Sequence, residues 1–553
     1  MLFKTADPWP QSHHDLIEHY YLQYDAKIAA GEFQPFLYPW GTFGALLVII
    51  YLLVPHQNRP WLKRYRYLAF GWIACFAVYT TLYTKARGMA PALGIGLISA
   101  WSVVWVGAIL VCNDAQTDFM RIERLEGAFG APISRSKEKE KEEKKGTSNG
   151  SVEVQDKTKQ NQEEHPNISL VNGHSGPLNR HGEFAWQPYP ISPFIERLDW
   201  VLDVFCNFRG AGWSWRTSAL PPPPKWVQEQ LRRNSVGAVP THSNRQHAGQ
   251  VARYDSHDEL IRTNLRTLLT GYLALDALKT AMMHDPYFWG VFDRSPPDYL
   301  PLFVQASPAL LHVFRLTLSM LGIKYALQSL FALAPLFFAG VLGPSRLGAR
   351  AHPWMYPETW AAYSVVLDRG LAGWWSSWWH QTFRFAFEQP SRRLVEGLGL
   401  QRRGAAAKAL QVGVAFGLSG VLHASGSYTC AGETNPMGGP MLFFALQAVG
   451  VFAEPLLLHG VRATGLEKSV RVPGWVKKGA TFLYVHVWFY YTAHFLCDDF
   501  SRGGVWLFEP VPVSLFRGLG FGADGLRDGW WCWGGQLVRW HRGDRWWRSG
   551  IAF

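Results

Sequence analysis

Residues 409–428 read ALQVGVAFGLSGVLHASGSY, an apolar run of 20 residues with a histidine, His423, near its end. A helix needs roughly 20 apolar residues to cross a bilayer core, so this stretch is long enough to span one. Burying an imidazole in hydrocarbon costs free energy unless it is partnered, and an ionisable group at this depth is a candidate functional residue. The alternative is a histidine that only hydrogen-bonds a neighbouring helix. Small residues on both sides, among them Gly420 and Gly426, favour a function because they let a substrate approach closely.

Other apolar stretches reach or approach the same length, and together they predict about eight spans, or nine if the stretch after Leu302 turns once. They are Phe36 to Val54, Tyr67 to Thr84, Leu93 to Cys112, Leu265 to Met283, Leu302 to Leu342, Met441 to Leu458 and Thr481 to Leu496. The chain has 27 Trp, 34 Phe and 21 Tyr among 553 residues, and several tryptophans flank these spans, as at a membrane interface. The sequence therefore predicts an all-α fold, a polytopic transmembrane helical bundle in the lipid bilayer.

Charge divides the chain into segments. The N-terminal segment is acidic and the loop between the first two spans is basic, which predicts a lumenal N-terminus and cytosolic loops, in the endoplasmic reticulum membrane. The predicted organisation has five parts: a three-span region (1–112), a charged low-complexity loop (113–193), a membrane-surface segment (194–264), a catalytic membrane domain (265–520) and a Trp/Arg-rich interfacial tail (521–553). The loop contains the tract KEKEKEEKK at 137–145 and is predicted to be disordered near 134–180.

Composition also narrows the function. The six cysteines are scattered without C-x-x-C pairing, so neither a metal site nor a disulfide framework is predicted. The net charge of +12 is spread over connecting loops, which favours anionic headgroups or an anionic cosubstrate over nucleic acid. No nucleophile elbow, Walker loop or dinucleotide fingerprint occurs. The sequence sets no oligomeric state.

A second block, residues 374–384, reads WWSSWWHQTFR. A patch this rich in tryptophan is often only an interface anchor. An anchor does not need a histidine, an amide and an arginine, however, and here His380, Gln381 and Arg384 supply a base, a hydrogen-bonding side chain and a fixed cation. Such a set suits a thioester and the phosphates of its carrier.

The two histidine blocks resemble those of the fungal wax-synthase-domain proteins, membrane-embedded O-acyltransferases related to the membrane-bound O-acyltransferase family, many of them acetyltransferases of terpenoid and meroterpenoid pathways. Residues 374–384 resemble that family's Phe-Trp-Gly-Arg-x-Trp-His-Gln-x-Phe-Arg block, and Ser419 to His423 match its Ser-Gly-x-x-His. The resemblance spans roughly 197–520, with further similarity at 209–213, 285–290 and 509–512.

The chain departs from the family pattern at two places. Ser376 and Ser377 replace a glycine and an arginine, so any contact of that arginine is lost. Ala424 follows His423 where relatives often have an acidic residue, so the partner that orients His423 must come from elsewhere.

The resemblance implies transfer of an acyl group, with acetyl favoured, from acyl-CoA to a hydroxyl of a lipophilic acceptor such as a terpenoid alcohol. Acyl-CoA is then a cosubstrate, and no permanently bound cofactor is expected. His423 is the expected base, His380 and Gln381 position the donor or stabilise the oxyanion, and Arg384, with Trp375 and Trp379, contacts the carrier. Two alternatives stay open: a wax synthase acting on long-chain alcohols, and a transporter in which His423 and Glu454 relay protons.

Another histidine offers a rival pattern. His494 precedes Asp498 by four residues and Asp499 by five, which are the H-x3-D and H-x4-D spacings of other acyltransferases, but such spacings arise readily by chance. His486, Tyr490 and His494 share one helical face, so they either line a path or lie at the interface.

Some ionisable residues lie in apolar surroundings. Asp276 and Lys279 are three residues apart and are expected to neutralise each other. Glu454 is a candidate contact of His423 or of the acceptor. The further candidates for contact with the substrate are therefore Ser419, Glu454, Asp276 and His494.

Overall fold

A computed structural model describes residues 10–130, 183–234, 249–463, 472–525, 527–534 and 538–553. The stretch predicted to be disordered, 134–180, and its charged tract at 137–145 lie outside the described residues. Both ends of the predicted loop 113–193 do have regular structure, because residues 121–124 near its start pair with residues 184–187 near its end.

Helices account for most of the described chain. They are α1 (His13–Ala29), α2 (Phe43–Leu53), α3 (Pro60–Arg64), α4 (Arg66–Tyr83), α5 (Met89–Val106), α6 (Ala115–Asp118), α7 (Phe194–Cys206), α8 (Lys225–Asn234), α9 (His257–Met283), α10 (Leu302–Gln305), α11 (Pro308–Pro335), α12 (Pro344–Leu347), α13 (Ser364–Gly373), α14 (Arg384–Gly397), α15 (Ala405–Thr429), α16 (Leu442–Ala463), α17 (Gly474–Thr492) and α18 (His494–Arg502). π-Helical turns continue α5, α11 and α13 and precede α16, over Gly107–Val111, Leu336–Leu342, Trp374–Trp378 and Met437–Met441.

The strands are short and form three small sheets. They are β1 (Gln34–Pro35), β2 (Leu37–Tyr38), β3 (Thr84–Lys85), β4 (Arg121–Arg124), β5 (Phe184–Gln187), β6 (Arg539–His541) and β7 (Gly550–Ala552). β1 runs parallel to β3, β4 pairs antiparallel with β5, and β7 lies antiparallel between β2 and β6. The last sheet joins the C-terminal tail to the N-terminal segment.

The predicted helical membrane fold is confirmed, but the count of about eight spans is not. Among the described residues, four helical stretches are long and apolar enough to cross a bilayer: Met89–Val111, Pro308–Leu342, Ala405–Thr429 and Met437–Gly460. The stretch after Leu302 does not turn within the membrane, since Pro308–Leu342 is one continuous helix.

The first predicted span falls short for a local reason. Pro35 ends β1, and Pro39 directly follows β2, so α2 begins only at Phe43. Its 11 residues cover about 16 Å at 1.5 Å per residue, against a hydrocarbon core about 30 Å thick. α9 is long enough but carries charged side chains, including the buried Asp276 and Lys279.

Two close helix pairs organise the bundle. α5 lies against α15, and Gly96 makes this approach possible: a Cβ there would lie 1.9 Å from the carbonyl oxygen of Ser425. The hydroxyl of Thr429 accepts from the Gly96 N–H at 3.1 Å and donates to the Ala92 carbonyl at 2.6 Å. Small residues thus allow backbone contact between these helices, as predicted for the segment around His423.

α9 and α11 form the second pair, joined through a buried corner at Asp285. Its carboxylate accepts two hydrogen bonds from Arg315, both at 2.8 Å, and one from the Tyr287 N–H at 3.1 Å. The family-like block 285–290 ends at Gly290, whose φ of 85° and 2.9 Å Cβ approach to the Ser501 carbonyl require glycine. This block is therefore a structural corner.

α15 lies between two large clusters of buried apolar side chains. Phe416 belongs to the cluster that contains Trp374 and Phe443, whereas Leu422 belongs to the one that contains Trp105. His423 follows Leu422 directly, so the helix holds its imidazole at the boundary between the two cores.

Candidate active site

His423 forms one hydrogen bond, with its own helix. Its Nδ1 lies 2.8 Å from the carbonyl oxygen of Ser419, four residues earlier. A carbonyl oxygen can only accept, so Nδ1 carries the proton and Nε2 of the neutral ring carries the lone pair. Nε2 has no partner among the residues that the structure describes. The ring packs on Phe444 at a centroid distance of 4.5 Å.

The tryptophan block forms the connection between α13 and α14. α13 is interrupted at Gly370, continues through the π-helical turn Trp374–Trp378 and ends where Trp379 adopts an extended conformation. Trp374, Trp375 and Trp378 pack into the aromatic core, with Trp375 5.6 Å from Phe416.

Gln381 and Arg384 hold this connection in place. The amide of Gln381 donates to the carbonyl oxygens of Trp375 at 3.0 Å and Trp379 at 2.5 Å. Arg384 donates to the Ser376 carbonyl at 2.9 Å and to the Glu388 carboxylate at 2.6 Å. Both side chains are thus bonded to the chain itself, and their direct contacts to a substrate stay predictions.

His380 lies in an aromatic pocket. The rings of Phe331, Trp360, Trp379 and Phe383 surround it at centroid distances of 5.6, 6.0, 5.4 and 5.4 Å. Burial, together with the nearby His423 and Arg209, lowers the pKa of His380 to about 3. The imidazole is therefore neutral at pH 7, and its Nδ1 has no hydrogen-bond partner among the described residues.

The structure brings the two predicted histidines into one neighbourhood. His380 lies close enough to His423 for the two rings to interact electrostatically. Trp375 is 6.0 Å from Phe444, the ring that packs on His423, and 6.0 Å from Trp379, the ring beside His380. This proximity could not be predicted from the sequence, because the two blocks are about 40 residues apart and belong to different helical segments.

A cavity of about 660 Å³ adjoins the His380 pocket. Phe331, Trp360 and Thr382 line it and also lie beside His380 in space or in sequence. The end of α11 supplies an apolar wall, whereas α7 and residues 207–211 and 355–360 supply a mixed polar wall. Its size is that of a small-molecule site, for which 300–1,000 Å³ is typical.

Arg209 is a cavity residue that the sequence did not single out. It opens the block 209–213, in which Gly210 and Gly212 adopt φ values of 74° and 76°. A Cβ at Gly212 would lie 2.5 Å from Met355. The glycine pattern was visible in the sequence, but the proximity of Arg209 to His380 was not.

Glu454 and Asp276 have structural partners in the fold. Glu454 accepts from the backbone N–H groups of Leu371 and Ala372, both at 3.0 Å, directly after the interruption of α13. Asp276 accepts from the Ser514 hydroxyl and from the Leu515 N–H at 2.7 Å. Each carboxylate thus caps a backbone segment.

Lys279 and Asp276 do not share a hydrogen bond: the Lys279 ammonium donates to the Trp506 carbonyl at 2.7 Å. The mutual neutralisation predicted from their spacing is therefore not the arrangement adopted.

His494 lies in a separate cluster. Its ring is 5.8 Å from that of His312, and its Nδ1 has no hydrogen-bond partner among the described residues. Asp498 accepts a hydrogen bond from the Tyr287 hydroxyl at 2.6 Å, and Asp499 accepts one from the Asn435 N–H at 2.7 Å. Both aspartates of the rival pattern are thus hydrogen-bonded to residues other than His494.

A third cluster joins the two ends of the chain. The Asp528 carboxylate lies 2.9 Å from His14 Nε2 and 3.6 Å from His13 Nε2. The three side chains offer ligand atoms within 4.8 Å of one another, a spacing that suits a metal ion as well as hydrogen bonds. Sequence spacing predicted no metal site, because His14 and Asp528 are 514 positions apart.

The sequence model of the Membrane bound O-acyl transferase family matches residues 353–446, which include both histidine blocks. Among curated proteins, the chain is 23% identical over 336 residues to O-Mevalon transferase macI from Penicillium terrestre, covering 59% of this chain and 64% of that protein. It is 27% identical over 299 residues to O-Mevalon transferase yanI from Aspergillus niger, covering 50% and 58%. It is 32% identical over 149 residues to Acetyltransferase ple2 from Rhodocybe pseudopiperita, covering 26% and 38%.

The chain thus spans less than two thirds of the length of these relatives. No solved structure matches it. The resemblance drawn from the two histidine blocks is nevertheless confirmed, since the family model and the fungal relatives agree with it.

Proposed function

This chain is related to the membrane-bound O-acyltransferases, and on that premise we propose that it transfers an acyl group, with acetyl favoured, from acyl-CoA to a hydroxyl of a lipophilic acceptor. The observation that carries the proposal is the hydrogen bond from His423 Nδ1 to the Ser419 carbonyl, which leaves Nε2 free. A free Nε2 lone pair within an apolar helix is what a general base for an alcohol requires.

In the proposed reaction, His423 Nε2 accepts the proton of the acceptor hydroxyl as its oxygen attacks the thioester carbonyl carbon. The tetrahedral intermediate then collapses, the carbon–sulfur bond breaks, and the coenzyme A thiolate takes the proton back from the imidazolium. A thioester is already activated, so no covalent enzyme intermediate is needed. The chain contributes positioning, proton transfer and stabilisation of the oxyanion.

We assign the oxyanion contact to His380. A neutral imidazole carries one N–H, and the low pKa of His380 keeps it neutral over the physiological range. Its Nδ1 has no partner among the described residues, which leaves the ring a donor for a substrate oxygen. Gln381 and Arg384 act in this proposal by fixing the backbone on both sides of His380, with Arg384 near the entry of the carrier.

The cavity supports a route for the substrates. Its walls include α7, residues 355–360 and the end of α11. The first two belong to loops that the charge pattern assigns to the cytosol, where acyl-CoA is found, and α11 borders the lipid. The polar donor then enters from the cytosol and the apolar acceptor from the membrane.

The acceptor we favour is a terpenoid or similar secondary metabolite. This rests on the resemblance of the two histidine blocks to fungal O-acyltransferases, many of them acetyltransferases of terpenoid and meroterpenoid pathways. The proposed setting is the endoplasmic reticulum membrane with the N-terminus in the lumen. Residues 1–112 are the proposed N-terminal three-span membrane region, 265–520 the catalytic membrane domain and 521–553 an interfacial tail.

The test uses microsomes from cells that express the full chain, with labelled acetyl-CoA or palmitoyl-CoA and a panel of terpenoid and long-chain alcohols. Labelled acetyl esters of terpenoid alcohols, absent from microsomes without the chain, are the expected result. Palmitoyl esters of long-chain alcohols would instead assign a wax synthase. If no acceptor is esterified by either donor, while the protein is present and inserted, the proposed activity is wrong.

A further inference from the structure

The side chain of Arg209 places a positive charge in the wall of the cavity beside His380. It is partly accessible, it lines the cavity, and its charge reaches His380. Its guanidinium donates to the carbonyl oxygens of Pro357 at 3.2 Å and Glu358 at 2.5 Å. Its Nε has no hydrogen-bond partner among the described residues. Carbonyl oxygens satisfy N–H groups, but they do not neutralise a full charge.

The other cations and carboxylates of this cavity have ionic partners or, as at Glu358, a pKa that burial raises. Asp199 pairs with Arg350 at 2.6 Å and with Arg121 at 2.7 Å. Asp203 pairs with Arg121 at 3.3 Å. Burial raises the pKa of Glu358, which favours its neutral form.

Arg209 differs from these groups, because no carboxylate of the described residues lies within 4.0 Å of its guanidinium nitrogens. Burial lowers its pKa to about 10, so it keeps its charge at neutral pH. An enclosed and unpaired charge is unfavourable unless an anion compensates it.

The backbone around Arg209 is fixed. The Asn207 side chain accepts from the Gly210 N–H at 2.9 Å and donates to the Ala211 carbonyl at 3.2 Å. A Cβ at Gly210 would lie 2.8 Å from the Arg216 backbone, so the turn needs glycine there. The guanidinium is therefore held in place before any ligand arrives, which lowers the entropic cost of binding.

A neutral donor also lines this cavity. Thr382 is 7% exposed, and its hydroxyl has no partner among the described residues. It follows Gln381 in the chain and lines the cavity with Arg209. A ligand with several acceptor oxygens would satisfy both groups, whereas a purely apolar ligand would leave both unpaired.

We propose that Arg209, together with Thr382 of the same cavity, is an anion subsite that binds the negatively charged oxygen atoms of a substrate. The anion is a phosphate of the acyl donor's carrier or a carboxylate on the acceptor. This inference rests on the proposed function, since both anions belong to substrates of that reaction. An arginine suits either one, because its planar fork matches phosphate and carboxylate geometry.

The test measures binding without turnover, on purified full-length protein in lipid nanodiscs. The probes are coenzyme A against pantetheine, which lacks the phosphates and the adenosine, and decanoate against decanol, which lacks the charge. The variants are R209Q, which removes the charge, and R403Q, a matched control at an exposed position. Thermal unfolding of each variant reports whether it is folded.

A loss of about tenfold or more in coenzyme A affinity in R209Q, with pantetheine affinity unchanged and R403Q like wild type, assigns the subsite to the donor's phosphates. A loss for decanoate but not decanol, with coenzyme A unchanged, assigns it to an acceptor carboxylate. Equal binding of both anions by folded R209Q and wild type overturns the proposal.

Wild-type protein decides the matter if R209Q does not fold. An anion subsite requires coenzyme A to bind more tightly than pantetheine, or decanoate more tightly than decanol. If the wild-type protein shows neither preference, the proposal is overturned. Acyl transfer is measured separately on the same preparations. Binding that depends on Arg209 without any ester formation would reject the proposed reaction while keeping the subsite.

Discussion

The Nδ1 atom of His423 lies 2.8 Å from the carbonyl oxygen of Ser419, one turn earlier in the same helix. This bond supplies the orienting partner that Ala424, in place of an acidic residue, cannot provide. A backbone carbonyl fixes the tautomer as a carboxylate would, but without a charge to stabilise an imidazolium. No single side-chain substitution removes this partner, so the position of α15 itself controls the geometry of the base.

The contact between α5 and α15 gives a first prediction. In Gly96→Ala, the new Cβ would meet the Ser425 carbonyl at 1.9 Å, so α15 must shift and His423 with it. We expect a loss of about 1–3 kcal/mol of stability and a clear loss of acyl transfer. Gly94→Ala is the matched control, since a Cβ there meets nothing within 4 Å. Thermal unfolding and ester formation measure both variants, and equal behaviour would contradict the packing described.

The interruption of α13 gives a second prediction. Gly370 has a φ of 59°, and a Cβ there would lie 1.6 Å from the Glu454 carboxylate that caps the following N–H groups. Gly370→Ala is expected to lower the yield of folded protein strongly, because it adds backbone strain to a clash. Gly413→Ala, in an open helical position, should fold like wild type. Size-exclusion profiles of the detergent-solubilised variants report the difference, and a normal profile for Gly370→Ala would refute it.

The cluster that joins the chain ends gives a pH prediction. Burial lowers the pKa of His13 from its ordinary 6.5. Burial of Asp528 favours a higher pKa, but hydrogen bonds from His13 and His14 outweigh this and hold it below its usual value. Both His13 and Asp528 bind more protons when α1 separates from the C-terminal tail than when the two are joined. The attachment of α1 to the tail is therefore strongest above pH 6.5 and weakens as the pH falls below that value.

Hydrogen exchange of α1, followed by mass spectrometry with a chelator present, measures this attachment. Exchange should be faster at pH 5.5 than at pH 7.5 in wild type. His13→Phe keeps an aromatic ring against Trp289 but cannot titrate, so it should flatten the difference. His459→Ala, at an exposed site, should not. An identical pH response in His13→Phe and wild type would count against the cluster as its source.

The helical membrane fold could be predicted from the sequence, and both histidine blocks could be identified in it, because these are local patterns. Hydrophobic length identifies a span such as Ala405–Thr429 without any tertiary knowledge. The same measure predicted about eight spans, a count that the described helices do not confirm, because it did not weigh Pro35 and Pro39, which delay the start of α2. It also did not distinguish α9, whose buried Asp276 and Lys279 bond to other segments.

Contacts between distant segments could not be predicted in this way. Gln381 and Arg384 were singled out for their chemistry, but their bonds to the Trp375 and Ser376 carbonyls depend on the π-helical turn. The importance of Arg209 depends on a cavity whose walls come from five or more separate stretches of chain. Only the folded chain shows which charges have partners.

Ester formation by His423→Ala in microsomes tests the central claim most directly. A positioned base contributes about 10²- to 10⁴-fold, so the variant should lose at least a hundredfold in turnover while its coenzyme A affinity stays near that of wild type. His459→Ala, handled in parallel, should keep full activity. A correctly inserted His423→Ala protein that esterifies its acceptor at the wild-type rate would show that this imidazole is not the base.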